Sequence, residues 1–251
     1  MSRLFSMQTL SSLNLFNPIK DIFVFLSIYI QKTKTGKLKK HKISDVRHLT
    51  DSTFVLQMER KALPFQTGQF VILRRPGTIE QREYTVYNGE QDDFLEVLVR
   101  EVKEGKVTPR LKKMQPGDEM EVDGPFGFFR FQPSMFPLQK FLFVATGTGI
   151  SPFHSFVKTY CDLDYRLIHG VRYGEEAYEH DHFEKEKITL CTTGDNTGDF
   201  NGRVTDYLSG QQIDKDTQCF LCGNSEMIHE TFDILTGKGV PVQNIYTEVY
   251  F

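Results

Sequence analysis

Cysteine is scarce in this 251-residue chain and tryptophan is absent. Four cysteines, Cys161, Cys191, Cys219 and Cys222, are too few for a disulfide scaffold at this length and suit a reducing compartment. Only Cys219 and Cys222 stand close together, so neither the plant-type nor the bacterial cysteine run of an iron–sulfur ferredoxin is present. Long hydrophobic runs are missing too. The longest, at 22–30, has nine residues, where a bilayer span needs about 20. Gln31, Lys32 and Thr33 follow it where a secretory signal would place small residues, so export is not expected and the reading is cytoplasmic. Six lysines between Lys32 and Lys42 leave a second reading, peripheral membrane contact through residues 10–42, behind the favoured one of a poorly packed extension over 1–39. With 39% apolar and 25% charged residues, disordered and collagen-like classes are excluded.

The net charge of −3 conceals a division. Residues 1–137 hold 21 Lys and Arg against 16 Asp and Glu, while residues 138–251 hold 9 against 17. This split disfavours nucleic acid as the main partner and suggests a basic surface on the first half for an acidic macromolecule, with a charge asymmetry of no functional meaning as the equal alternative. The hydrophobic pattern divides at the same place. Six short β-rich runs, at 41–48, 52–59, 69–74, 82–88, 94–102 and 118–122, predict a small antiparallel barrel over 40–137. Beyond Pro133 and Pro137, short apolar runs at 141–145, 165–170, 188–192, 219–221 and 245–249 alternate with helix-length segments. That alternation predicts βαβ units around a parallel sheet over 138–251. The fold class expected is therefore a β-barrel domain followed by an α/β domain.

Candidate chemistry gathers at the head of the second domain. Phe141 to Ala145 reads as a strand that runs into Thr146-Gly147-Thr148-Gly149-Ile150-Ser151-Pro152, and residues 153–160 are apolar at helical spacing. Gly147 and Gly149 permit close backbone approach, Ser151 can cap the helix and Pro152 fits its first turn, which makes an anion cradle for a diphosphate. An ordinary βα turn is the plainer alternative, because Pro152 replaces the third glycine of the dinucleotide fingerprint. Arg172, after the second strand, stands where NAD enzymes usually carry an acid and suits a 2′-phosphate. Cys222 and Gly223 fall at the carboxyl end of a parallel strand, where α/β sheets bind ligands. Cys219 and Cys222 point to opposite strand faces, no second zinc-ligand pair exists, and His180 with His182 reads as a solvated face, so no metal site is expected.

These residues resemble the ferredoxin–NADP reductase flavoenzymes, particularly the bacterial ferredoxin/flavodoxin reductases, over residues 40–251. Arg82-Glu83-Tyr84-Thr85 is similar to the family's Arg-x-Tyr-Ser/Thr flavin motif, and Gly105-Lys106-Val107-Thr108 to its second flavin motif. Gly147 to Pro152 resembles its nicotinamide motif, Cys222-Gly223 with Met227 its Cys-Gly-x-x-x-Met, and Glu248-Val249-Tyr250-Phe251 its Glu-x-Tyr end with one more aromatic. The resemblance implies FAD on the barrel and NADPH on the α/β domain, with hydride passing from nicotinamide C4 to flavin N5 and single electrons to a ferredoxin or flavodoxin. Arg82 would face the FAD diphosphate, Tyr84 the ring, and Thr85 the N5 edge. Gly105, Val107 and Thr108 would hold phosphates at the start of a helix over 108–114, where a simple N-cap is the plainer reading of Thr108. Phe251 would lie toward the adenine. Cys222 would sit beside the nicotinamide, Glu248 near the flavin edge, and Tyr250 over the ring face that nicotinamide must occupy.

One departure bears on the nucleotide. NADP-specific members commonly carry a Ser-Arg pair where this chain has Thr192-Thr193, while Arg172 and Arg203 match other basic positions of that pocket. NADPH is favoured and NADH stays open. The alternatives are an NADH-dependent reductase for an oxygenase component, a cytochrome or free flavin, and a flavin-binding module that senses redox state without turnover.

Overall fold

The computed structural model describes residues 39–131 and 139–250. The expected extension up to residue 38, the Pro133–Pro137 stretch where a domain change is expected, and Phe251 lie outside the described residues.

Six strands form the first sheet: β1 (Lys39–His48), β2 (Thr53–Glu59), β3 (Phe70–Arg74), β4 (Gln81–Thr85), β5 (Phe94–Arg100) and β6 (Glu119–Phe126). They pair antiparallel in the order β4-β3-β6-β1-β2-β5. The edges of this sheet meet just beyond β4, where Val86 bridges Val97 and the Tyr87 N–H donates to the Glu96 carbonyl at 2.8 Å. Alternation decides what faces inward. Phe54, Leu56 and Met58 on β2, opposite Val99, Val97 and Leu95 on β5, bury with Ile43, Val71, Leu73 and Val122 in the core inside the sheet. Val55 and Leu98 point outward yet are also buried, in a second core shared with the other sheet. Covering on both faces explains why these two strands read as nearly continuous apolar runs.

The second sheet is wholly parallel. Its strands β7 (Phe141–Thr146), β8 (Tyr165–Val171), β9 (Ile188–Thr192), β10 (Phe200–Asn201), β11 (Gln218–Gly223) and β12 (Ile245–Val249) lie in the order β10-β9-β8-β7-β11-β12. Helix α1 (Thr108–Leu111) belongs to the first sheet's domain, and α2 (Ser151–Thr159), α3 (Val204–Ser209) and α4 (Ser225–Gly237) belong to the second. One face of the parallel sheet packs Val204, Leu208, Met227, Ile228 and Leu235 from α3 and α4 against Leu142, Val144, Ile168 and Leu221. Its other face packs Phe153 and Phe156 of α2, with Phe129, against Phe143, Tyr165, Leu167 and Phe220, and this is the core that takes in Val55 and Leu98. The chain leaves β7 toward β8 on one side while β11 lies on the other, which creates a switch point between β7 and β11. No helix of the described residues is long and apolar enough to cross a membrane.

Phe220 lies at the centre of the shared core. It is fully buried, meets Phe129 edge-on at 5.3 Å between centroids and stacks on Tyr246 at 4.5 Å. Truncation leaves a cavity that neighbours on two sheets must fill, so Phe220→Ala should cost about 3–5 kcal/mol of unfolding free energy, read from the urea midpoint at unchanged slope.

Candidate active site at the carboxyl end of the parallel sheet

Register sets the site. Ala145, Cys222 and Glu248 are paired neighbours across β7, β11 and β12, so they form one transverse row near the carboxyl end of the sheet beside the switch point. The chain then turns back over this row, with the Tyr250 N–H donating to the Gly223 carbonyl at 2.9 Å. The Tyr250 phenol donates to Thr85 Oγ1 at 2.6 Å, and Thr85 Oγ1 donates to Glu248 Oε2 at 3.2 Å. A residue of the antiparallel sheet thus meets two residues from the end of the parallel one, 163 and 165 positions away. Burial pushes the Glu248 carboxyl up to about 7, with the Thr85 hydrogen bond opposing and the Glu83 charge adding to the rise. Burial also raises the Cys222 thiol and the Tyr250 phenol well above their ordinary values, so both stay protonated at neutral pH.

The glycine turn adjoins this row. β7 passes through a 3₁₀ turn, Gly147–Ile150, straight into α2. Ile150 occupies the N-cap, not Ser151 as the sequence suggested; Ser151 is the first helical residue and its hydroxyl donates back to the Thr148 carbonyl at 2.7 Å. Pro152 sits in the first turn as expected. A side chain at Gly149 would place its Cβ 2.3 Å from the Cys222 carbonyl oxygen, and one at Gly223, whose φ is +134°, 2.3 Å from Thr146 Oγ1. Thr146 Oγ1 also accepts the Asn224 N–H at 2.9 Å, which ties the turn after β7 to the turn after β11.

On the antiparallel side, β4 presents Arg82, Tyr84 and Thr85. The exposed Arg82 guanidinium donates to the Gln81 carbonyl at 2.9 Å and has no carboxylate partner among the described residues. Tyr84 is half-buried, and its hydroxyl is shielded from water without any hydrogen-bond partner. Helix α1 is shorter than the predicted 108–114, and Val107 holds its N-cap position. The Thr108 hydroxyl is turned back to accept the Val102 N–H at 2.8 Å, which replaces the simple capping reading. Gly105 closes that turn, since a Cβ there would lie 2.8 Å from the Val102 carbonyl oxygen. The Val107 side chain is buried in the first core.

Comparison with known proteins agrees with this geometry. An oxidoreductase FAD-binding domain model matches residues 36–131 and an oxidoreductase NAD-binding domain model matches residues 143–232. The chain is 29% identical over 218 residues to the flavodoxin/ferredoxin–NADP reductase of Escherichia coli, which covers 76% of this chain and 86% of that one. It is 27% identical over 225 residues to the electron transfer component of toluate 1,2-dioxygenase from Pseudomonas putida, covering 83% of this chain and 66% of the relative. A crystal structure of a ferredoxin NADP+ reductase from Neisseria gonorrhoeae with bound FAD and NADP superposes with a TM-score of 0.76 at 26% identity, over 86% of this chain and all of the other. The chain carries an oxidoreductase FAD-binding domain followed by an oxidoreductase NAD-binding domain and is similar to ferredoxin–NADP reductases across both.

On this FAD-binding domain, the β4 residues fit FAD on their own chemistry. Arg82 offers donors with no acid to neutralise them, and Tyr84 holds a dry hydroxyl that lacks a partner, a buried deficit that a polar ligand group would remove. The nucleotide residues are less uniformly placed. Arg172 is exposed and leans over the Tyr173 ring at 5.3 Å; Arg203 is exposed and 3.8 Å from Glu230. Thr192 is buried with its hydroxyl donating to the Asp195 carbonyl, so Thr193 alone of that pair is exposed. The Met227 side chain packs in the core under α4, accepting the Thr231 hydroxyl at 3.5 Å, and only its N–H faces the turn, donating to Asn224 Oδ1.

Sequence reasoning missed the polar seam beside the shared core. Arg47 on β1 donates to Glu96 at 2.6 Å and to Glu179 at 3.0 Å. Of His180 and His182, expected on a solvated face, His182 is exposed and His180 partly buried, and both also pair with buried histidines: His180 with His169 at 2.8 Å and His182 with His154 at 2.9 Å. His169 also reaches the Gly147 carbonyl at 2.9 Å, so it braces the glycine turn from below. Burial pushes His154 and His169 down to about 3, which keeps both neutral near pH 7. No local signal in the sequence marks this seam, because the partners of Glu179, His180 and His182 are 11 to 132 positions away.

Glu248 yields a pH test. Its folded-state value of about 7 exceeds the ordinary 4.5, so the folded, flavin-free protein holds a proton that the unfolded chain releases, and stability falls as pH rises from 4.5 to 7. Glu248→Gln should match the wild type in melting temperature at pH 4 and exceed it by a few degrees at pH 8.

Proposed function

We propose that the chain is an NAD(P)H-dependent flavin reductase that passes electrons singly to a small acidic carrier protein, ferredoxin or flavodoxin. The observation that carries this reading is the contact of Tyr250 and Glu248 with Thr85 across the two sheets, beside buried Cys222. FAD, when bound, supplies the two-electron and one-electron chemistry. The protein's own groups bind, orient and exclude water. Arg82 would hold the diphosphate, Tyr84 would lie along the flavin ring, and Thr85 would present its hydroxyl at the ring edge. Cys222 would set the depth of the nicotinamide. Glu248, near neutrality in its proton affinity, would hold or release a proton beside the Thr85 hydroxyl, which donates to Oε2. Tyr250 would cover the same place until a nucleotide displaces it.

Nucleotide choice follows from charge. Arg172 and Arg203 retain two exposed cations for a 2′-phosphate, and Thr193 supplies none. A charge-assisted hydrogen bond is worth roughly 1.5–3 kcal/mol, so one missing cation narrows the margin between NADPH and NADH by about ten- to a hundredfold. NADPH remains favoured. An NADH-dependent reductase of an oxygenase is the second reading, favoured by Thr193 and by the likeness to the toluate dioxygenase component. Carrier binding has its own charge source. Of the net +5 on residues 1–137, +4 lies in residues 1–38, with five Lys and Arg against Asp21, so steering of an acidic carrier rests chiefly on that stretch.

The direct test is anaerobic mixing of the flavin-loaded protein with NADPH and with NADH, followed by ferredoxin or flavodoxin; loss of flavin absorbance with neither nucleotide would remove both enzyme readings. Arg82→Ala should fold normally and purify with less than about a tenth of its flavin, measured by the 450-to-280 nm absorbance ratio. Tyr250→Ser should bind NADP+ and NAD+ more tightly in flavin difference titrations, with the larger gain for NAD+, because the nucleotide no longer displaces a ring.

A further inference from the structure

We propose that His154, Glu179 and His182 form a binding site for one divalent transition ion of the zinc class, set in the seam between the two sheets. The three donor atoms converge: His154 Nε2 lies 2.9 Å from His182 Nδ1, and Glu179 Oε2 lies 4.0 and 3.9 Å from those nitrogens. His154 comes from α2, its ring stacked on Tyr87 at 3.8 Å, and only 2% of the residue is exposed. Its Nδ1 is 2.7 Å from the Tyr87 carbonyl oxygen, which can only accept. The ring proton therefore sits at Nδ1, and Nε2 presents a lone pair toward the gap. A backbone carbonyl behind a histidine is the support that metal-binding imidazoles generally have.

Glu179 adds a carboxylate oxygen that is poorly satisfied without an ion. Its Oε1 accepts from Arg47 Nη2 at 3.0 Å, while Oε2 is shielded from water and makes no well-formed hydrogen bond, the equally shielded Tyr87 hydroxyl beside this carboxylate being the one donor that interacts with it. A proton shared between the two imidazoles accounts for their short contact and does nothing for that oxygen. One ion would satisfy all three donors. With metal–ligand bonds of about 2.0–2.2 Å, tetrahedral donor atoms stand roughly 3.3–3.6 Å apart, so the two ring nitrogens must part slightly and the carboxylate must move inward, each by less than about 1 Å. Two imidazoles and one carboxylate suit zinc, cobalt or nickel better than calcium or magnesium, which prefer oxygen donors throughout. His182, with 35% of its side chain exposed, stands at the rim and gives the ion a route in. All three ligands belong to the second domain, while Tyr87 and Arg47 hold them from the first, so the ion would clasp the seam. This inference does not rest on the hydride-transfer reading.

The test uses the full chain loaded with FAD, stripped by chelator and dialysed against Zn2+, with metal counted per chain and affinity measured by chelator competition. One ion per chain is expected, with affinity falling at least about tenfold in Glu179→Gln and in His182→Ala. His182 lies at the rim, so its alanine variant should keep the wild-type circular dichroism and melting temperature of the metal-free protein. His229→Ala and Cys161→Ser, at exposed positions outside the cluster, should bind as the wild type does. Absence of stoichiometric binding, or binding that survives both seam substitutions, overturns the proposal.

Discussion

The phenylalanine-rich core shared by the two sheets holds everything else in place. Phe143, Phe153, Phe156 and Phe220 of the parallel sheet and α2 press against Phe129 and the outward faces of β2 and β5. Burial of this kind is non-directional, so apolar area alone would allow the halves to rotate against one another. The polar seam removes that freedom: Arg47 between Glu96 and Glu179, Thr53 donating to the Tyr178 hydroxyl at 3.2 Å, and Tyr87 stacked on His154. Only with orientation fixed does Thr85 reach Glu248 and Tyr250.

The same low-dielectric surroundings have opposite effects on groups in the seam and in the site. In the seam, away from the site, Arg47 lies among carboxylates that hold its charge, whereas in the site Glu248 has only a hydroxyl, and its carboxyl therefore moves toward neutrality. Cys222 stays a thiol for the same reason, since burial disfavours the thiolate.

Much of this was legible in the residues. β-rich runs at 52–59 and 94–102 marked strands, short apolar runs such as Phe141 to Ala145 marked the parallel sheet, and Cys222 was correctly placed at a carboxyl strand end. Local detail fared less well where a tertiary partner competed with a local one. Ser151 looks like a cap, but the preceding 3₁₀ turn moves the helix start back by a residue; Thr108 looks like a cap, but the Val102 N–H claims its oxygen. His180 and His182 look solvated because their neighbours are charged, and nothing in that stretch reveals buried histidines waiting 11 and 28 residues earlier. Long-range polar pairing leaves no periodic trace in sequence.

The tie from Asn224 to Thr146, with Gly149 against the Cys222 carbonyl, has a thermodynamic consequence for ligand binding. The two turns that would receive a nucleotide are already fastened to each other, so little conformational entropy is left to lose there when one arrives. A floor organised in advance makes affinity a report on whatever must move above it. Substitutions that leave this tie intact should therefore alter nucleotide affinity without changing the shape of the floor.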